Sequence, residues 1–277
     1  MNTLTIKDKV ISLIQHDCLM PCEKVGNLVR PFVDFSISIT NSCNAKCKFC
    51  CNAGKNDFEF DVSAFKDVFD ETASKVEINK VTFTGGEPTL HPETLNRCLD
   101  HITGRCKLIT VNTNGYRLNV LTHSSITRIS MSRHHDLDGE NDAIFGIKIG
   151  NPLKTFSKKE KVIVVCNLIR GKVDCAKKAY DILEFASSNG VNEAALVGLM
   201  PLNSWSKEHV VSISSLDFDE NVLCTRRLSH EVTGVCTCNN YVYVAKNGEL
   251  VFFYTRHALR PEYNKGSRIA WENNRIV

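Results

Sequence analysis

No apolar run in the chain approaches the roughly 18 residues that a membrane-spanning helix needs, and the opening Met1 to Lys9 holds no stretch of signal-peptide length. A membrane anchor and a secretory leader are therefore not expected, and a reducing cytoplasm is the expected compartment. Charge of one sign is lacking too: 34 Lys and Arg against 31 Asp and Glu leave a net +3 of the 277 residues, with no long basic run to track a polyanion. Nucleic acid is not an expected partner, whereas an anionic small ligand remains compatible. There is no internal repeat or low-complexity segment, and 43% hydrophobic against 23% charged residues is a globular balance that can bury one large core.

Cysteine, in contrast, is abundant. Thirteen cysteines in a chain without a secretory signal argue against a disulfide framework, because cytosolic thiol buffers keep such pairs reduced. Metal ligands or core thiols are the alternatives, and spacing decides between them.

From Val33 onward, short β-rich apolar runs alternate with helical patterns, as in stacked βα units around a parallel sheet. Six strands are expected, at 33–39, 80–84, 107–112, 127–131, 162–169 and 193–199, most of them continuous apolar runs. Asp61 can cap a helix with Val62, Phe65, Val68 and Phe69 on one face; Pro92 suits a first helical position; Asp174 can open a helix that ends before Gly190. The stretch from Asp138 to Phe145 has only a weak helical pattern, and residues 1–32 read as a helical or irregular lead-in. After Met200-Pro201 the pattern changes, and Asn247-Gly248 between two β-rich runs predicts a hairpin in a small C-terminal appendage.

Directly after the first expected strand, Cys43-Asn44-Ala45-Lys46-Cys47-Lys48-Phe49-Cys50 places three thiols within eight positions on one loop. Three thiolates on a cubane cluster leave one iron open to an outside ligand, where four would usually close it. A structural zinc knuckle or a chance group of buried thiols is the alternative, although zinc normally takes a fourth protein ligand, which the adjacent Cys51 could supply only awkwardly.

The C-x3-C-x2-C spacing with an aromatic before the last cysteine resembles the signature of radical S-adenosylmethionine (radical SAM) enzymes. That resemblance implies that Cys43, Cys47 and Cys50 hold a 4Fe-4S cluster whose open iron binds S-adenosylmethionine, with Phe49 packed beside it. It also implies a glycine-rich turn after the second strand, and Gly85-Gly86-Glu87-Pro88 stands there, some forty residues on. Paired glycines let backbone come close to a ligand, and the Glu87 carboxylate could accept from an ammonium group.

By the same resemblance, Asn114 and Ser130 are candidates for the ribose and the methionine carboxylate. Asn167 and the backbone from Val197 to Leu199 match stretches of the molybdenum-cofactor cyclase of this superfamily, Val197 and Leu199 being expected to face adenine. Cys166 reads as a core thiol. Arg133, His134 and His135, which the general pattern does not require, are candidate substrate or proton-transfer contacts, or else parts of a solvated loop.

Cys224, Cys236 and Cys238 resemble the SPASM and twitch extensions that hold a second iron-sulfur cluster, with His257 or a remote cysteine as a possible fourth ligand. The match is incomplete, because Phe252-Phe253-Tyr254 stands where a full SPASM domain has a cysteine. The fold expected is α/β: a partial (β/α)6 TIM-like barrel over 33–201, with the lead-in at 1–32 and a twitch-like extension at 202–277. The resemblance implies reductive cleavage of S-adenosylmethionine to a 5'-deoxyadenosyl radical, fed by an external one-electron reductant of flavodoxin or ferredoxin type. A small metabolite or nucleotide-like molecule is the expected substrate, because 32 residues are too few for a winged-helix leader-binding domain. A ribosomally made peptide is the alternative, and a non-catalytic iron-sulfur or zinc protein is a third reading, for which the Gly-Gly-Glu-Pro turn would have no use.

Overall fold

The computed structural model describes residues 2–13, 32–219, 222–226, 238–256 and 268–277. Its first residues differ from the expected helical or irregular lead-in. They form an antiparallel hairpin, β1 (Asn2–Ile6) and β2 (Lys9–Leu13), turning at Lys7 and Asp8 with φ of 44° and 64°. Leu4 and Ile6 are buried while Thr5 and Lys7 are exposed, a period of two that belongs to a strand lying on a core. Lys75 Nζ, donating to Thr5 O at 2.9 Å, ties the hairpin to the first helix.

The main sheet is built from β3 (Phe32–Thr40), β4 (Glu77–Gly85), β5 (Leu108–Thr113), β6 (Arg128–Ser132), β7 (Val162–Leu168) and β8 (Glu193–Gly198), paired in that order and all parallel. Between them run α1 (Val62–Lys75), α2 (Pro92–Ile102), α3 (Asp138–Phe145) and α4 (Ala176–Ser188), with a one-turn α5 (Ser204–Glu208) after β8. This is the βα succession of a partial TIM-like barrel.

The helices start largely where their residues dictate. The Asp61 carboxylate accepts from Ala64 N at 2.9 Å, and α1 buries Val62, Phe65, Val68 and Phe69. Pro92 opens α2, which buries Leu95, Cys98, Leu99 and Ile102. Cys175, not Asp174, occupies the cap position of α4; the Asp174 carboxylate instead accepts from Gly171 N and pairs with Lys178 at 2.9 Å. The weak pattern over 138–145 does form a helix, because Phe145 and Asn141 bury one side of it and Gly146 ends it at a φ of 67°.

Continuous apolar strands were expected, yet β3 to β6 alternate. Phe35, Ile37, Val81, Phe83, Val111, Ile129 and Met131 lie on the helix-covered face and belong to the main core. The opposite, inner face carries Ser36, Thr82, Thr84, Asn112, Ser130 and Ser132, which are paired across the strands. On β7 and β8 that inner face turns apolar, where Ile163, Ala195 and Val197 form a separate cluster with Val165 and Tyr254. At the amino ends of the strands, Lys80 pairs with Asp34 at 3.6 Å and Arg128 with Glu193 at 2.7 Å.

Beyond β8 the chain adds β9 (Val222–Arg226), β10 (Cys238–Val244), β11 (Leu250–Arg256), β12 (Arg268–Glu272) and β13 (Arg275–Ile276). These strands share the barrel's sheet: β11 lies parallel to β8 and β12 parallel to β3, one at either end of the six. Among the described residues no helix is long and apolar enough to cross a membrane.

The β10–β11 hairpin departs from a two-residue Asn-Gly turn. Ala245 N donates to Glu249 O at 2.9 Å, so the loop is Lys246-Asn247-Gly248, and only Gly248 has a positive φ, 84°. A side chain there would meet no atom within 4 Å, so its cost is conformational alone. Gly248→Ala should lower stability by about 1 kcal/mol, read as a shift in denaturant midpoint; an unchanged midpoint would mean that the loop relaxes to another turn.

Candidate functional site

Because the six strands run parallel, the segments that follow them share one edge of the sheet. There the chain leaves β3 at Thr40 and makes a long excursion to Asp61 before α1 begins. Asp57 closes this loop on itself: its Oδ1 accepts from Thr40 Oγ1 (2.7 Å), Asn41 N (2.9 Å) and Ser42 N (3.1 Å). Partial burial alone would raise the Asp57 carboxyl, but hydrogen bonds from Thr40, Ser42, Phe58 and Asn41 outweigh it and hold the group far below the usual carboxylate range.

The loop rests on the Gly85-Gly86 turn. Gly86 N donates to Thr40 O at 2.7 Å and Glu87 N to Ser42 O at 2.9 Å, which carries the β3–β4 ladder past the strand ends. A Cβ on Gly86 would stand 1.9 Å from Ser42 O, and one on Gly85 2.3 Å from Thr40 O. Both glycines are thus required for close backbone packing within the protein, whatever ligand also approaches them.

Cys43 is exposed, and Cys47 and Cys50 are half-buried on this loop. Burial pushes the Cys43 thiol up, with Glu87 and Cys50 adding to the effect; burial with the neighbouring Cys50 and Cys43 pushes Cys47 up to about 12. Burial also raises Cys51, beside Cys50 and Lys55. Among the described residues no three metal-binding side chains converge on one point as the ligands of a single ion do. Cubane thiolates each bind a separate iron. Beside Cys43, Asn44 Nδ2 is buried without a partner, and Asn114 Nδ2 reaches Asn44 Oδ1 at 2.8 Å and Cys43 Sγ at 3.9 Å. Three thiols on one loop and an unused donor beside them fit an iron-sulfur cluster, and Cys43, Cys47 and Cys50 are the residues that could hold it.

Three further segments brace the loop from outside. Lys46 N donates to Phe145 O at 2.7 Å, Asn203 Nδ2 to Lys48 O at 3.0 Å, and Asn52 Nδ2 to Gly85 O. Phe49 meets the edge of His134 at 5.2 Å between ring centroids and Trp205 at 6.2 Å. Asp57, Asn52, Asn203 and Trp205 escaped the sequence reading; only the Asx-rich composition of the loop hinted at the first two.

Other candidate residues sit differently from expectation. The Glu87 carboxylate does not lie open for an ammonium group. It is 1% exposed, with Oε1 accepting from Thr89 N, Thr89 Oγ1 and Thr113 Oγ1 and Oε2 accepting from Asn114 N at 2.7 Å, so it joins the ends of β4 and β5. Pro88 is buried and begins a short 3-10 turn over Pro88–Leu90. Asn114 is committed to the cluster loop, its Oδ1 accepting from Tyr116 N at 2.9 Å.

Arg133, taken as a substrate contact, is wholly buried instead. Its guanidinium donates to His135 O, Gly150 O, Asp136 O and the Asp138 carboxylate at 2.6 to 2.8 Å and covers the Phe185 ring at 4.1 Å. It organises the loop that carries His134 and Phe145. His134 stacks on Phe145 at 5.1 Å, and its Nδ1 accepts from Asn167 N at 3.1 Å, which leaves the neutral ring's proton on Nε2. His135 lies beside Asp136, with Nδ1 3.0 Å from the carboxylate.

Ser130 and Asn167 are half-buried on the inner face, Val197 is nearly buried there, and Leu199 is buried just past β8. Cys166 is a core thiol, which burial pushes far up. Cys224 and Cys238 belong to β9 and β10, with Cys224 opposite Tyr241. Cys236 and His257 lie outside the described residues.

A profile of the radical SAM superfamily matches residues 37–216, well over half of the chain. The chain belongs to the radical SAM superfamily. Members of this family bind a 4Fe-4S cluster and S-adenosylmethionine. The chain is similar to a protein of Saccharolobus solfataricus named as a probable GTP 3',8-cyclase, 28% identical over 62% of this chain and 59% of the relative. A protein of the same name in Sulfolobus acidocaldarius is 25% identical over 69% of this chain and 63% of the relative. The chain thus spans about three fifths of the length of these curated relatives. Among solved structures, Streptococcus suis SuiB bound to S-adenosylmethionine shares the fold at a TM-score of 0.54 and 15% identity, over 68% of this chain and 44% of SuiB. SuiB bound to its precursor peptide SuiA aligns at 0.53, with 15% identity over 63% of this chain and 41% of SuiB.

His134 gives this radical SAM site a measurable signature. Burial, with the Arg133 charge adding to it, pushes the imidazole down to about 3. A base that is harder to protonate folded than unfolded stabilises fully above the unfolded value of roughly 6.5. That contribution is lost as pH falls, at up to about 1.4 kcal/mol per pH unit. Urea midpoints should therefore fall more steeply between about pH 6.5 and 4 for the unaltered protein than for His134→Gln. Equal slopes would mean that the ring is not held neutral.

Proposed function

We propose that this chain is a radical SAM enzyme in which Cys43, Cys47 and Cys50 hold the 4Fe-4S cluster and whose substrate is a small nucleotide-like molecule. The observation that carries the reading is one edge of one parallel sheet: the three-thiol loop, the glycine turn packed beneath it and a polar inner face all meet there. When bound, the cluster supplies one electron to the sulfonium of S-adenosylmethionine and so drives homolytic cleavage of its carbon-sulfur bond.

In this reading Gly85, Gly86 and Pro88 shape the backbone beside the cofactor's methionine, while Glu87 and Asn114 fix that backbone. Phe49 wedges the loop against His134, and Ser130, Asn167 and the Val197 to Leu199 strand end line the nucleoside. His134, neutral and of one tautomer, keeps its proton on Nε2 as a donor for a bound group and moves no proton near neutral pH. Arg133 and His135 hold the loop in shape. The residues that flank the site belong to a barrel over 33–201, with the lead-in before it and the twitch-like region after it.

A nucleotide-like substrate is supported by the divided inner face. Thr82, Thr84, Asn112 and Ser132 offer hydrogen bonds to hydroxyls and base edges, and Ile163, Ala195 and Val197 offer an apolar wall to a flat ring. The relatives named as GTP 3',8-cyclases agree in substrate class. A peptide is the second reading, favoured by the exposed Tyr116, Leu137, Met200 and Leu202 on the loops after β5, β6 and β8 and by the peptide-bound SuiB structure. We include in the proposal a second cluster on Cys224, Cys236 and Cys238 and a flavodoxin- or ferredoxin-type reductant.

The test is iron and sulfide content after anaerobic reconstitution, together with 5'-deoxyadenosine release under dithionite. The unaltered protein should hold about four irons per cluster and form deoxyadenosine faster with GTP present than without nucleotide. Cys47→Ala should lose one cluster's iron and all deoxyadenosine. A Cys47→Ala protein that keeps full activity would remove the loop from the reaction, and stimulation by a peptide but by no nucleotide would transfer the substrate to the second reading.

A further inference from the structure

The hairpin of β12 and β13 has no part in the site as assigned so far. β12 lies parallel to β3, with Trp271 opposite Ile37, and β13 folds back antiparallel with Ile276 opposite Trp271. Ile269, Trp271 and Ile276 are buried in the main core, so the hairpin is anchored to the barrel wall. Its turn, Asn273-Asn274, has φ of 51° and 58°, the left-handed pair that asparagine tolerates better than most residues.

Because β12 runs parallel to β3, this turn emerges at the same edge as the three-thiol loop, and its side chains take hold of that loop. Asn273 Oδ1 accepts from Asn41 Nδ2 at 3.3 Å, two residues before Cys43. At the far end of the loop, Asn274 Oδ1 accepts from Asp61 N at 2.8 Å and its Nδ2 donates to Glu59 O at 2.7 Å. Glu272 pairs with Lys55 in between. Asn41 is itself buried and donates to Asn56 O at 2.7 Å from the same nitrogen. One two-residue turn, more than two hundred positions away in sequence, thus grips both feet of the loop.

We propose that Asn273 and Asn274 are positioning residues for the iron-sulfur loop. By pinning the entrance and exit of residues 41–61 to a strand of the barrel, they fix how the loop presents Cys43, Cys47 and Cys50 and how well it shields what they hold. The inference rests on the assignment of those three cysteines to the cluster.

The decisive variant pairs Asn273→Gly with Asn274→Gly. Glycine accepts the positive φ, so the turn persists while the side-chain grip is removed. In the full-length, anaerobically reconstituted protein, the double variant should lose iron-sulfur absorbance in air on the order of five-fold faster than the unaltered chain, and the electron paramagnetic resonance spectrum of its reduced cluster should change shape. Asn274→Asp keeps the acceptor for Asp61 N and should recover part of the lifetime, which also serves should the double variant fold poorly. An unaltered lifetime and spectrum in the double variant, or in Asn274→Asp no difference from Asn274→Gly, overturns the proposal. An unaltered protein that takes up no iron, or a Cys47→Ala protein that keeps the cluster, overturns the cysteine assignment instead.

Discussion

The passage of the β3–α1 loop directly over the Gly85-Gly86 backbone is the constraint on which the rest of the site depends. Two hydrogen bonds, from Gly86 N to Thr40 O and from Glu87 N to Ser42 O, prolong the sheet beyond its strand ends. They can form only because neither glycine has a Cβ. Once they do, the thiol loop and the glycine turn are one object, and Glu87 extends it by gathering four hydrogen bonds from Thr89, Thr113 and Asn114. A buried carboxylate so completely satisfied is costly to disturb, since removing one partner leaves an unpaired charge or donor. Order therefore propagates from β4 to β5 and, through Asn114, back to Asn44 and Cys43.

Arg133 plays the corresponding part on the other flank. A guanidinium excluded from water is tolerable only when its nitrogens find acceptors, and here all three do, on backbone carbonyls and Asp138, so that the chain from His135 to Gly150 wraps around it. The wrapping delivers Phe145 O to Lys46 N and His134 to Phe49. Two charged residues that look like chemistry in a linear order of residues thus act as keystones of the structure.

What the sequence could reveal follows from the range of the interactions. Local signals were legible: the cap of α1, the proline that opens α2, the six βα units, the thiol loop and the glycine turn are each encoded within a few residues. The orientation of side chains at the edge was not, because Glu87 turns inward to partners at the end of β5 and Arg133 to carbonyls of the loop that folds back over it, which no spacing rule records. Continuous apolar runs are the expectation for most of the strands, yet β3 to β6 alternate, since a barrel has an inner face that helices do not cover. β1 and β2 were missed because strands of five residues are too short to give a period that can be detected. The bracing of residues 41–61 by Asn273 and Asn274 spans nearly the whole chain, and in the sequence only the adjacent asparagines mark it.

Hydrogen-bond satisfaction sharpens the distinction between frame and site. Asp57, Glu87, Arg133, Asn114 and Asn141 all find partners. Close to Cys43, in contrast, Asn44 Nδ2 and Asn41 Oδ1 are buried with no partner. Each such atom costs about 1–3 kcal/mol, a penalty that would be relieved by a group bringing an acceptor beside Cys43 or a donor beside Asn41. Cys43 and Cys47 press the same way, because burial and the neighbouring acidic groups oppose ionisation of both thiols until a cation arrives. Asn44 Nδ2, aimed beside Cys43, is thus the donor that a bound group would complete.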